Sequence, residues 1–369
     1  MSVEHELILL LLGCSARDTK EQRLQRFVDW ERLWRVAEEE GLALPLWECL
    51  DRDFASYLPE QAAELMSSRA TWRTLAQIRQ VNELLALIER LHSREIEVVC
   101  YKGPALAYLA FNGASGREWG DLDLLIAPEK YEQAVELLKA DGFEPEQKKI
   151  PRCYLKLAYE ITLIHRQRRV TVDLHRSAFS EAFRDSFSLS QKTPFAIQVN
   201  GHQVETFDPE EHLVLLAIHG SKHGWRELRW VYDLVALCRS HPLDWQRVGE
   251  VARMSGGVKS LSLGLALANR LFLLETPANW ELSNNLEPLV DKARLHMFVQ
   301  RPGLGELHRF QWQLFDDWRA RARYALFTLF RPHDLDLKWI DLPRSFWPLY
   351  YILRPVRVIL ERFRQALKS

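Results

Sequence analysis

The stretch Gly120-Asp121-Leu122-Asp123 carries two carboxylates one residue apart, with leucine between and after them. On an extended strand side chains alternate, so Asp121 and Asp123 project from one face while Leu122 and Leu124 turn to the other, toward a core. Two carboxylates about 4 Å apart repel by roughly 1 kcal/mol in water and about 4 kcal/mol at an effective dielectric of 20. The pattern therefore calls for a cation between them. A third acid, Asp173, lies in Thr171-Val172-Asp173-Leu174-His175, where Val172 and Leu174 point inward and Asp173 points out with His175. If the two strands are neighbours, three carboxylates converge on one hard oxygen site suited to Mg²⁺ or Mn²⁺. A metal held by few carboxylates and by substrate phosphates serves phosphoryl and nucleotidyl transfer. An isolated Asp-x-Asp is more often a solvated strand face, so the weight rests on what surrounds it.

A second constellation is His219-Gly220-Ser221-Lys222-His223. Histidines at i and i+4 share one helical face, the spacing at which two imidazoles hold one zinc ion. The metalloprotease signature needs Glu directly after the first His, and Gly220 stands there, which excludes that class. A structural or capping pair is the ordinary reading. The other is a place at the rim of an anionic site, because Lys222, Arg226 and Arg229 cluster with the histidines and with Trp225 and Trp230. Such a group can meet a nucleotide base or phosphate by stacking and charge. Asp233, four residues after Arg229, has the spacing of a helical ion-pair partner.

The elements that must position these groups follow from hydrophobic periodicity. Residues 1–95 read as helices: Trp72, Leu75, Ala76, Val81, Leu84, Leu85, Ile88 and Leu91 recur at mostly three- and four-residue steps, and Glu40-Gly41 ends an earlier helix carrying Phe27, Trp30, Leu33, Trp34 and Ala37. Strands are expected from Ile96 to Tyr101, Asp121 to Ala127, about Tyr159 to His165, and Val170 to His175. A short helix with Pro104 in its first turn separates the first two, and Lys130 to Ala140 is helical. After Asp208-Pro209 the chain is helical again. The reading is an α+β protein in three parts: an N-terminal helical region (1–95), a small mixed-sheet α/β core (96–207) and a C-terminal helical region (208–369).

Composition bounds the rest. With 369 residues, 47% hydrophobic, 11% aromatic and 27% charged, the chain has a globular make-up and enough length for more than one packed unit, which excludes a peptide or a disordered segment. Lys plus Arg total 49 against 50 Asp plus Glu, so no chain-wide field draws it to nucleic acid, and any such binding must use a local patch. The five cysteines (Cys14, Cys49, Cys100, Cys153, Cys238) are scattered without a Cys-x-x-Cys, which argues for a reducing compartment rather than a disulfide framework or thiolate zinc site. Leu7 to Leu12 follows acidic residues instead of a basic leader, and Phe346 to Leu353 is far too short to span a bilayer, so a cytoplasmic protein is expected. Residues 344–369 set Arg344, Arg354, Arg357, Arg362, Arg364 and Lys368 against Glu361, interleaved with apolar side chains. That basic amphipathic tail either packs on the other helices, the default, or meets an anionic membrane surface or nucleic acid. Pro348 and Pro355 argue against one continuous helix there.

The order of these pieces resembles the polymerase β-type nucleotidyltransferase superfamily, and more narrowly a bacterial nucleotidyltransferase family of uncertain substrate. The matching pieces are Tyr101-Lys-Gly-Pro-Ala-Leu-Ala107, Arg117 to Ile126 with its Asp-x-Asp, Val172-Asp-Leu-His175, and His219 to Trp230 with Asp233, within roughly residues 5–275. The resemblance implies transfer of a nucleoside monophosphate from an NTP to an acceptor that the sequence does not disclose. It also implies that Asp121 and Asp123 hold the metal bridging the nucleotide phosphates, and that Asp173 completes the second metal site and takes a proton from the attacking hydroxyl. Gly103, at a helix N-terminus, would let backbone amides approach a phosphate. Lys102 and Arg117 would add cations for the same phosphates, and Lys222 and His223 would stand at the nucleotide. Where the superfamily carries Gly-Ser or Gly-Gly, this chain has Lys102-Gly103. That departure supports a competing reading, a non-catalytic nucleotide-binding or scaffold protein on a decayed transferase fold.

Overall fold

The computed structural model describes residues 1–146, 159–178, 195–276, 286–315, 317–332, 336, 339–340 and 342–366. Five strands, β1 (Val98–Cys100), β2 (Leu122–Ile126), β3 (Glu144–Pro145), β4 (Glu160–His165) and β5 (Val170–His175), form a mixed sheet in the order β1-β2-β5-β4-β3. β2 and β5 run parallel, and the other neighbouring pairs are antiparallel. Seven helices in the N-terminal half are α1 (Val3–Leu12), α2 (Arg17–Leu24), α3 (Trp30–Glu39), α4 (Ala43–Asp53), α5 (Glu60–His92), α6 (Gly103–Ala110) and α7 (Tyr131–Ala140). Beyond the sheet come α8 (Pro209–Lys222), α9 (Leu228–Ser240), α10 (Trp245–Ser255), α11 (Val258–Phe272), α12 (Glu287–Phe298), α13 (Leu304–Leu314), α14 (Trp318–Phe330) and α15 (Tyr350–Ala366). The protein is α+β, as the alternation of helical and strand periods predicts.

Strand alternation divides the interior into two cores. Leu122, Leu124 and Ile126 of β2 join Val98 and Cys100, the end of α5 and the inner face of α7. Val99, Tyr101 and Leu125, the intervening positions, face a second core that unites α1, α3 and α4 with α8, α9 and α11. Asp123 belongs by alternation to this second face, beneath the C-terminal helices. The helix that covers it, α8, starts where the local chemistry demands: Asp208 Oδ1 accepts from the Glu211 amide at 2.8 Å and Pro209 fills the first turn.

Several elements depart from the sequence reading. α3 begins at Trp30 because Asp29 caps it, accepting from the Arg32 amide at 3.0 Å, and Phe27 stays outside the helix and 91% exposed. On α5 the buried stripe runs through Met66, Ala70, Gln77, Val81, Leu84, Ile88 and Leu91. Trp72 (72%), Leu75 (51%) and Ala76 are exposed, because the 3.6-residue period traced back from Val81 passes through Gln77 and Ala70 instead. A hairpin of β6 (Phe195–Val199) and β7 (His202–Thr206) was not expected. Its turn is Asn200-Gly201, both at positive φ (48° and 83°), the pair a tight hairpin requires. At the C-terminus Pro348 lies in a 3₁₀ turn, whereas Pro355 is accommodated inside α15, where it forfeits one hydrogen bond near the helix start. α15 turns Arg354 and Arg357 inward onto Asp336 (2.9 and 2.5 Å) and leaves Ile352, Val356 and Ile359 exposed.

Among the described residues no helix is long and apolar enough to cross a membrane. The four described cysteines are free thiols, and Cys153 lies outside the described residues.

Candidate active site

The parallel pairing of β2 with β5 sets Asp123 directly opposite Asp173, and the antiparallel pairing of β5 with β4 sets Thr162 opposite Asp173 and Glu160 opposite His175. One face of the sheet thus carries a row of polar side chains across β2, β5 and β4, from the start of β2 to the second half of β5. Asp121 sits in the bend before β2. Asp123 is 3% exposed and accepts from two donors at one oxygen: Lys102 Nζ stands 2.5 Å from its Oδ1, and His175 Nε2 stands 3.1 Å away. Thr162 Oγ1 donates to Asp173 Oδ1 at 2.7 Å. Asp123, Asp173 and His175 each offer a ligand atom, and these atoms all lie within 4.8 Å of one another.

Lys102 reaches Asp123 from an unusual backbone position. It is the residue before α6 and has φ 57° and ψ −155°, a region that an L-residue occupies at a cost of about 1–3 kcal/mol. Gly103 follows with φ 38°; a Cβ there would lie 3.1 Å from the Asp121 carbonyl oxygen, so this glycine permits the close passage of the Asp121 backbone. The Lys102 ammonium also stands 5.2 Å from the centre of the Tyr101 ring.

The acids respond differently to this setting. Burial would raise Asp123, but Lys102 and His175 outweigh it and hold its carboxyl below the usual range. Asp121 is raised, first by burial and then by the charge of Asp123. Asp173 is pushed from 3.8 up to about 6, by burial and then by Asp123. An acid whose folded pKa is raised holds its proton more tightly in the native state. Its contribution to stability is therefore greatest below 3.8 and is lost as pH climbs to about 6. We expect Asp173→Asn, which cannot ionise, to gain stability relative to wild type across that window in chelator-treated protein. Thermal melting of both proteins from pH 4 to 7 measures this, and a constant gap between the curves would contradict it.

Beside the acids, Lys222 of α8 donates to the Tyr159 hydroxyl at 2.9 Å, and that hydroxyl is 3.0 Å from Glu160 Oε1. Burial opposes the Lys222 charge, yet Tyr159 and Glu160 more than compensate and its pKa is raised. His219 and His223 pack at 4.7 Å between ring centres with their planes tilted by 58°, and both flank Trp230, at 5.5 and 5.4 Å. Burial first, then nearby Lys102 and Lys222, hold His219 well below its ordinary value; burial and Lys222 push His223 down to about 3. Both are neutral rings. Trp225 is instead fully buried in the core, donating to Ser221 Oγ at 3.2 Å, and Gly220 exists to admit it, since a Cβ there would sit 2.6 Å from the Trp225 ring.

Two expected partnerships are replaced. Arg117, expected at the phosphates, is 8% exposed and gives Nε and Nη2 to the two oxygens of Asp233 at 2.7 and 2.9 Å. A guanidinium so buried needs a carboxylate in fork geometry, and Asp233 supplies it. Arg229 correspondingly pairs with Glu227 at 2.7 Å rather than with Asp233. The sequence pattern assigns no role to His175, Glu160 or Tyr159. Alternation placed His175 beside Asp173, but Glu160 and Tyr159 join only through the register of β4 on β5.

The mixed sheet thus aligns carboxylates from adjacent strands, with Lys102 and Lys222 at their edge. Residues 27–273 match the family described as uncharacterised nucleotidyltransferase, and the chain belongs to that family. Among solved structures, the antibiotic-resistance factor ANT(2'')-Ia is similar over 47% of this chain and 89% of its own, at 12% identity and a TM-score of 0.35. An antigenic nucleotidyltransferase-like protein from Paracoccidioides brasiliensis is similar over 53% of this chain and 97% of its own, at 19% identity and a TM-score of 0.32. No curated protein matches the chain.

Proposed function

We propose that this protein transfers a nucleoside monophosphate from an NTP to an acceptor, releasing pyrophosphate, and that it needs a divalent cation to do so. The observation that carries the reading is the register of β2 on β5, which puts Asp123 opposite Asp173 with His175 at the same spot. The donor set fits Mg²⁺ or Mn²⁺: carboxylate oxygens predominate, and the Nδ1 atom of His175 is buried with no hydrogen-bond partner. Asp121, Asp123, Asp173 and His175 would hold the ion, which when bound neutralises charge at the nucleotide phosphates. Lys102 and Lys222 flank the acids and are suited to draw phosphate oxygens toward them. Gly103 keeps the start of α6 open to an anion. Asp173, raised toward neutrality, is matched to accept the proton of an attacking hydroxyl. The neutral His219, His223 and Trp230 rings form an aromatic cluster with mutually inclined planes, one face of which can meet a nucleobase. Arg117 acts at one remove: paired with Asp233, it also lies 3.5 Å from the Gly103 carbonyl and steadies the start of α6.

A second reading, a scaffold that binds no metal, is favoured by the Lys102–Asp123 ion pair, which satisfies the buried carboxylate by itself. Calorimetric titration of the full chain with each NTP, with Mg²⁺ or with EDTA, separates the two. The transferase reading expects saturable heat with at least one NTP that EDTA removes. The absence of heat with every NTP would leave the scaffold.

A further inference from the structure

We propose that the ammonium of Lys102 is a resident cation that takes the place of one of the two divalent ions, so that the site binds a single Mg²⁺ or Mn²⁺. The inference rests on the transferase reading and sharpens its metal requirement.

Three independent features support it. First, Asp123 is the most buried acid of the group, two residues after Asp121 on its own segment and directly opposite Asp173 on the next strand, so two ions at this site would both draw on it. Its Oδ1 already has a cation 2.5 Å away in Lys102, while His175 Nε2 donates to the same atom. Second, the backbone of Lys102 sits at φ 57° and ψ −155°, angles that glycine adopts freely and lysine does not. A strained lysine at such a position implies that its side chain is required there. Third, no other described cation replaces it at Asp123. Lys222 is engaged with Tyr159 and Glu160, Arg117 with Asp233, and Arg229 with Glu227. The partly exposed histidines His219 and His223 near Lys102 make ring contacts with Trp230.

The charge arithmetic agrees. The ionised carboxylates of Asp121, Asp123 and Asp173 sum to three negative charges, and the Lys102 ammonium leaves two, which one divalent ion cancels. Lysine also makes a fixed cation where a second metal would have to be recruited from solution. Unlike a metal ion it carries its own tether, so it demands no free-ion concentration and releases none with the product.

The test counts Mn²⁺, used alone, on the full-length chain, by electron paramagnetic resonance of the free ion and by calorimetry. Wild type is expected to bind one ion per chain. Lys102→Met should bind two, or bind its first at least about tenfold more tightly, because a cation beside Asp123 has been removed. Lys102→Arg, which keeps the charge, should still bind one. Lys102→Gly guards against misfolding: relief of the backbone angle offsets part of the cost of leaving Asp123 unpaired, so it should melt above Lys102→Met, and it should also bind two. Two ions on wild type, or one ion of unchanged affinity on both the Met and Gly variants, would overturn the resident-cation proposal and leave the transferase reading standing. No Mn²⁺ on any of the four proteins would overturn the transferase reading itself.

Discussion

Asp121→Asn/Asp123→Asn is expected to lose NTP turnover by at least about a thousandfold in kcat/KM. On the proposed reading these carboxylates supply several kcal/mol of charge stabilisation at the phosphates, and about 4 kcal/mol corresponds to three factors of ten. Asparagine keeps the shape and removes the charge, so the sheet should persist. Asp123 should dominate the pair. It is buried, its carboxyl is held below the usual range by Lys102 and His175, and it faces Asp173 across the parallel ladder, whereas Asp121 lies in the bend before the strand and is raised by burial and then by its neighbour's charge. Pyrophosphate release under saturating divalent metal is the measurement. Turnover within a few-fold of wild type in the double variant would end the proposal, provided its circular dichroism matches wild type.

The largest effect on stability is expected at Asp233. Arg117 and Asp233 are 8% and 2% exposed, and Asp233→Ala would strand a guanidinium in the core at a cost of about 3–5 kcal/mol. Removing both charges, as Arg117→Met/Asp233→Leu, should restore most of that, because the loss comes from the unpaired charge more than from the missing bond. Urea melts of the three proteins decide this. If the double variant is as unstable as the single one, the pair is not acting as a compensated charge pair. The restored double variant is also informative about chemistry: it would lack the contact between Arg117 and the Gly103 carbonyl, and any drop in turnover at full stability would belong to the start of α6.

The legible part of the site was the part governed by period two. Asp121, Asp123 and Asp173 stand out because leucines and valines alternate with them, and burial of those apolar residues forces the acids to a common side. What alternation cannot reveal is which strand lies next to which, so Glu160 and Tyr159 became neighbours of His175 only through the pairing of β4 with β5. Arg117 illustrates a different limit. Its partner Asp233 is 116 residues away on another element, and nothing local to either residue signals the contact. Asp233 has the helical spacing of a partner for Arg229, and that local pattern misleads because Arg229 has Glu227 closer at hand. The hairpin at 195–206 was readable: Asn200-Gly201 between alternating apolar residues is a strong turn signal, and its polar strands, half exposed, kept it from standing out as core.

The two cores have a consequence for how the chain is made. The core on the α5–α7 side of the sheet is assembled from residues between Val81 and Val204. The other joins Leu7 of α1 to Leu314 of α13, and the Cys14 amide bonds the Phe272 carbonyl at 2.9 Å while Arg239 reaches the Leu12 carbonyl at 2.8 Å. Synthesis at about 5–20 residues per second puts more than ten seconds between the emergence of α1 and that of α11. The leucines of α1 spend that interval without their long-range partners, a demand on the cell's holding factors that the α5–α7 side of the sheet does not make. The sheet, by contrast, can be complete while its acidic face is still open to water. Vectorial synthesis thus delivers the carboxylates first and the helices that roof them last.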